Sequence, residues 1–193
     1  MPVTDAYYGS NSARLTRAIQ DFGLCNVDGA YIYSAKLRAK GFLIVAFFDP
    51  NAAESREVLR AIDSWTEELV QTKWTAVGIS ASDRETIKQL VDTHSLKNMT
   101  MLLDHEFYQT KLWGVSNFPS VFLVSGKTGR VMAHVRGNNA DALDGVKNTL
   151  VSEVNKAVAA EESAKKADAE KKAAEEAVKK AEAEKKPAEP TNK

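Results

Sequence analysis

Seven apolar residues follow one another without a polar break from Phe42 to Phe48, FLIVAFF. A run of that length, rich in β-branched and aromatic side chains, predicts a central strand buried on both faces, with helices on either side of its sheet. Asp49-Pro50 stops it. Asn51 and, three residues on, Glu54 make a capping-box-like start. Val58, Ile62, Trp65 and Leu69 then recur at helical spacing, predicting a helix to about Gln71. The pattern repeats, with a strand from Trp74 to Ser80 and then Ser82 and Glu85 capping a helix whose apolar face is Ile87, Leu90 and Val91. Met99 to Leu103 predicts a short strand and Glu106 to Trp113 a short helix. Val121 to Val124 predicts a strand, Gly126 to Gly129 a turn, and Val131 to Val135 the strand that returns antiparallel. Asn139 caps a last helix with Leu143, Val146, Leu150 and Val154 in one stripe that fades near Val158.

Ahead of the central strand the signals are shorter. The first ten residues carry no periodicity, and Ser12 to Gln20 predicts a short helix with Leu15 and Ile19 one turn apart. Phe22, Leu24 and Val27, then Asp28-Gly29, then Tyr31-Ile32-Tyr33, predict a β-hairpin closed by a type I′ turn. These segments divide the chain into an N-terminal extension over 1–21, a folded domain over 22–155 and a tail over 156–193. Strand, helix, strand, helix and a terminal hairpin with a covering helix predict an α/β fold, a mixed central sheet flanked by helices in three layers.

The tail is nearly all Ala, Glu and Lys, and it changes the picture at the C-terminal end. Glu161, Asp168, Glu175 and Glu182 each have a lysine four residues on, at Lys165, Lys172, Lys179 and Lys186. Each such pair contributes only ~0.2–0.5 kcal/mol, but alanine is the best helix former and the pairs accumulate. Ala160, Ala167, Ala174 and Ala181 repeat every seven residues, while Ala164, Lys171, Val178 and Lys185 leave no continuous apolar seam for a coiled coil. A helix from Ala140 to Lys186 would span roughly 70 Å at ~1.5 Å per residue. Pro187 and Pro190 end it. The tail is expected to be either a solubilising or partly disordered segment or a helical spacer or arm that docks to an assembly.

Charge excludes some partners. Ten basic and ten acidic residues lie from Val151 onward, leaving sixteen of each in the body, so both parts are neutral. Neither carries the net positive field that draws phosphate backbones or anionic lipid, and nucleic acid and membrane are not expected partners. The start, Met-Pro-Val-Thr-Asp-Ala, has no basic region followed by an apolar run, and no window reaches the ~18 apolar residues of a membrane span. With a single cysteine, Cys25, which suits a reducing compartment, the expectation is a cytoplasmic protein without a cofactor.

With the element order in hand, the local text is informative: FLIVAFFDP before one helix, WTAVGISAS before the next, then LLDHEFYQTKLWGV and NFPSVFLVSGKTGRV. Over Phe22 to Leu150 this resembles the redoxins, meaning thioredoxin-like reductases and peroxiredoxins of the AhpC/TSA type, and implies a thioredoxin-like three-layer sandwich. In redoxins the reactive cysteine sits where the central strand turns into its helix, because the helix N-terminus favours a thiolate. Setting Arg56 on the arginine that often follows the family's CxxC places Ala52 and Ser55 at the two sulfur positions, so both nucleophiles are missing. Phe118-Pro119, just before VFLV, matches the family's cis-proline, and the resemblance implies a cis bond there. It also implies that the segment before this proline pairs with extended client polypeptide. The arginine with which peroxiredoxins polarise peroxide has no counterpart from Val115 to Val124.

Other residues are weighed beside that site. Cys25 lies in FGLCNVDG on the predicted hairpin, far along the chain from the helix start and with no cation beside it. It reads as a structural or incidental thiol, the alternative being a lone peroxidatic or sensor cysteine. His94, His105 and His134 fall in different elements without metal-ligand spacing, and no metal site is expected. Trp65 and Trp74 read as core, and Trp113, near the proline loop, as either core or groove wall. The leading expectation is a catalytically degenerate redoxin-like domain that binds a protein or peptide partner through a groove near Phe48, Pro50, Asn51, Phe118, Pro119 and Ser120. The alternative is a thiol peroxidase or oxidoreductase working through Cys25 alone.

Overall fold

The computed structural model describes residues 18–69 and 73–184, and of 66–68 and 173–184 the backbone alone. A hairpin, β1 (Gly23–Cys25) and β2 (Tyr31–Tyr33), leads into α1 (Ser34–Arg38) and the apolar strand β3 (Phe42–Phe47). Then come α2 (Ala53–Glu68), β4 (Trp74–Ser80), α3 (Arg84–His94), β5 (Met99–Leu103) and α4 (Tyr108–Leu112). The strands β6 (Ser120–Ser125) and β7 (Val131–Arg136) precede α5 (Ala140–Glu184). The main sheet runs β5-β4-β3-β6-β7, with β3 and β4 parallel, β4 and β5 parallel, and β6 antiparallel to both β3 and β7. The chain divides at Val154 and Asn155 into two units.

Side-chain alternation along β3 assigns the core. Leu43, Val45 and Phe47 join Val77 and Ile79 of β4, Leu102 of β5, Phe122 and Val124 of β6 and Val131 of β7 on one face. Phe22 and Trp113 complete that cluster, with the half-buried Leu24, Ile32, Leu37 and Leu112 against it. This face is therefore covered by the hairpin, α1 and α4. The other face carries Ile44 and Ala46, and the crossovers β3-α2-β4 and β4-α3-β5 step the same way across the sheet, so right-handed connection puts α2 and α3 together on it. Their apolar stripes are buried at Val58, Leu59, Ile62 and Trp65 and at Ile87 and Leu90. In α5 the stripe Leu143, Val146, Leu150 and Val154 is buried as its spacing predicts, and Asn139 Oδ1 accepts from Ala142 N at 2.9 Å.

Several local expectations are corrected. Of the helix expected over Ser12–Gln20, the part up to Arg17 lies outside the described residues. Ala18 is extended, bridging antiparallel to Arg130, and Ile19 N donates to Gly129 O at 2.8 Å. The hairpin turn is not type I′, because that turn needs two positive φ angles in succession and only Gly29 has one, at +90°. Asn26 organises it instead: its Oδ1 accepts from Asp28 N at 3.0 Å and Ala30 N at 2.8 Å, and its carbonyl accepts from Gly29 N at 3.0 Å. The helix α3 is capped by Asp83 rather than Ser82, its carboxylate accepting from Thr86 N at 2.9 Å and Thr86 Oγ1 at 2.7 Å. Asp83 is held below the usual carboxylate range, first by the Thr86 hydroxyl and then by the Thr86 amide. The helix expected from Glu106 starts at Tyr108, because Glu106 and Phe107 are left-handed, at φ 56° and 57°.

A polar staple holds the N-terminal segment to the domain. Arg38 pairs with Asp21 and donates from Nη1 to Gly126 O at 3.1 Å, while Ser34 Oγ donates to Asp21 Oδ1 and accepts from Phe22 N, both at 2.9 Å. One guanidinium thus ties α1 to the segment before β1 and to the β6–β7 turn. The fit there is tight, since a Cβ at Gly126 would lie 1.7 Å from Gly41 O.

In α5 beyond Asn155, side chains 159–172 are all exposed. No burial supports the helix over that stretch, and its stability rests on alanine and on the acid-to-lysine spacing.

Three outcomes are expected. Arg38→Ala should cost about 1–3 kcal/mol in urea unfolding, because the part-buried Gly126 carbonyl loses a charged donor. Asp21→Asn should cost only about 0.2–1 kcal/mol, the carboxylate being 56% exposed and screened by solvent. The Arg38 and Ser34 hydrogen bonds lower the Asp21 pKa, so its contribution is present above the unfolded carboxylate range and lost as pH falls through the folded value. The difference between wild type and Asp21→Asn should therefore close in acid, and a gap that widened would contradict the staple. A peptide covering 155–186 should be helical by circular dichroism and lose part of that signal as salt rises from about 0.01 to 1 M. Helicity indifferent to salt would rule out the charge pairs as its support.

Candidate functional site

The site is built where β3 hands over to α2. Phe48 leaves the strand but its amide still donates to Ile79 O at 3.0 Å, so the turn starts level with the end of β4. Asp49 then folds the chain back: its Oδ1 accepts from Asn51 N at 2.9 Å and its carbonyl from Ala52 N at 3.1 Å. Asn51 is not the helix cap. That position belongs to Ala52, which has extended φ/ψ and no side chain with which to cap, and Glu54 supplies the acid of the first turn. The helix start is held from within, by Ser55 and Arg56. Ser55 is fully buried and its hydroxyl accepts from Asp49 N at 3.2 Å. Arg56 Nη1 donates to the carbonyls of Pro50 and Asn51, each at 3.0 Å.

The second wall comes from β6. In the antiparallel register Phe47 faces Ser120, which brings the residues before β6 level with the turn after β3. The Phe118–Pro119 peptide bond is cis. The loop is closed by Ser120 Oγ donating to Asn117 O at 2.7 Å and by Gly137 N donating to Pro119 O at 2.7 Å. Of the six residues expected along a groove, Asn51 is exposed and Phe118 half-buried, whereas Phe48, Pro50, Pro119 and Ser120 are buried. Phe48 belongs to the core: its ring lies 2.9 Å from where a Cβ on Gly78 would stand. Trp113 is core as well, packed against Phe22, Phe47 and Phe122 with ring centroids 5.0–6.0 Å apart. On the two walls Asn51, Ala53 and Asn117 are exposed and Phe118 is half-buried.

Cys25 stands elsewhere. It pairs with Tyr31 in the hairpin, is half-buried and forms no disulfide. The hairpin meets the sheet at β5, through the bridge of Asn26 with Leu102 and the bond from Val27 N to Met101 O at 3.2 Å. From Asn26 across β5 and β4 to β3 is three strand spacings, about 14 Å at ~4.8 Å each. The thiol is thus outside contact range of the α2 N-terminus that would favour its ionisation.

The histidines stay apart. His94 ends α3, His105 is exposed after β5, and His134 on β7 stacks on Phe122 with ring centroids 4.1 Å apart. Among the described residues no three His, Cys, Asp or Glu side chains come together to hold a metal ion, and no helix is long and apolar enough to cross a membrane.

A second strand-to-helix turn went unread in the sequence. Asp104, buried after β5, accepts from Gln109 N and Thr110 N at 2.8 Å and from Thr110 Oγ1 at 2.7 Å, anchoring α4. The signal was available: Asp104 ends its apolar strand as Asp49 ends FLIVAFF.

No protein-family model and no curated protein matches the chain. Solved structures do. The peroxidoxin BcpB from Mycobacterium tuberculosis is 12% identical, with a TM-score of 0.63 over 73% of this chain and 96% of that one. A thiol-disulfide oxidoreductase from Bacteroides fragilis is 20% identical, with a TM-score of 0.61 over 69% and 99%. A secreted Mycobacterium tuberculosis disulfide oxidoreductase homologous to E. coli DsbE is 20% identical, with a TM-score of 0.54 over 65% and 92%. At these identities the likeness is one of fold: the chain is a thioredoxin-like three-layer sandwich with a long C-terminal helix.

Asp104→Asn should lower the urea midpoint by the equivalent of about 1–3 kcal/mol, because the amide turns its own N–H₂ toward groups that themselves donate. An unchanged midpoint would remove Asp104 as the anchor of α4.

Proposed function

We propose that this domain binds a protein or peptide partner at the α2 start and the cis-proline loop without exchanging thiols there. One observation carries the reading: the two walls are held together by the Phe47–Ser120 register, while the residues at the helix start are Ala52, which offers no functional group, and Ser55, whose hydroxyl is buried and engaged. Such a place can still present backbone donors and acceptors and an apolar edge to an extended segment. The solved structures of similar fold are a peroxidoxin and thiol-disulfide oxidoreductases, and a fold shared with them does not carry their chemistry. In this reading the domain keeps a recognition surface and has lost the sulfur.

The competing reading assigns thiol chemistry to Cys25. The 193-residue chain and its Cys25→Ser variant should both be inactive in peroxide consumption and in disulfide reduction. Turnover by the wild type that disappears in Cys25→Ser would replace the proposal with an enzyme. The binding surface is tested by placing a photo-crosslinking residue at the exposed Asn51 and, as a control, at the exposed Lys127 of the β6–β7 turn. Adducts of discrete mass are expected from position 51 alone, and equal yields from both positions, or none from either, would remove the site. On a Cys25→Ser background, Ala52→Cys should give a thiol that alkylates with a pKa below the ~8.5 of a free cysteine, because it caps a helix N-terminus. An ordinary titration would show that the α2 start lacks the geometry the proposal gives it.

A further inference from the structure

We draw no further inference here: the strongest candidate, the cleft of about 450 Å³ between the hairpin turn at Asn26–Asp28, the Lys88–Asp92 stretch of α3 and the edge strand β5, carries nothing because nothing in the structure shows what fills it.

Discussion

The double burial of β3 is the constraint on which the rest depends. Leu43 to Phe48 alternate between two closed faces, and each of the five larger side chains among them gains ~1.5–3 kcal/mol when fully buried. A slip of one residue would exchange every side chain between a face shaped by the hairpin, α1 and α4 and a face shaped by α2 and α3. The register is therefore held on both sides at once, Phe47 lying beside Ile79 of β4 and Ser120 of β6. Gly78 shows how little slack remains, since a Cβ there would stand 2.5 Å from the Met101 sulfur. One consequence is local to function. The strand that cannot slip also fixes where α2 begins and what lies beside it.

Polar groups at the ends of buried strands need partners, and this fold meets the requirement with the same device twice. Asp49 follows β3 and Asp104 follows β5, each turning its carboxylate back onto amides of the following turn or helix. At the first turn Ser55 and Arg56 add to it from inside the helix. The first turn is thus closed by side chains of the turn and of the helix that follows it. That bears on the proposed role, because a helix start whose turn is closed by its own residues can present a fixed surface to a partner.

The strands and apolar stripes were legible in the sequence because burial writes itself as periodicity. Trp74–Ser80 and Met99–Leu103 have the bounds their apolar patterns predict, and α5 buries the four residues its spacing selects. Caps and turns were less legible. Asn51 and Ser82 carry capping side chains but lost the position to Ala52 and Asp83. At Ala52 the reason lies in local side-chain bonds, since Asp49 engages Asn51 and Arg56 holds the carbonyls of Pro50 and Asn51. Of the groove residues, the sequence could name those near one another but could not say that Phe48 turns inward beneath Gly78.

By itself the sequence determined that a buried strand runs into a helix, and that the segment of that junction carries no cysteine of its own, the one cysteine being at position 25. It also pointed to a long Ala, Glu and Lys helix, whose propensities are local, while leaving a partly disordered tail open. Only the tertiary structure decided that Cys25 sits at the far edge of the sheet beside β5, that Phe47 faces Ser120, and that Ser55 is consumed in the turn. Those facts join residues tens of positions apart or depend on which way a side chain points, and neither leaves a periodic trace in the chain.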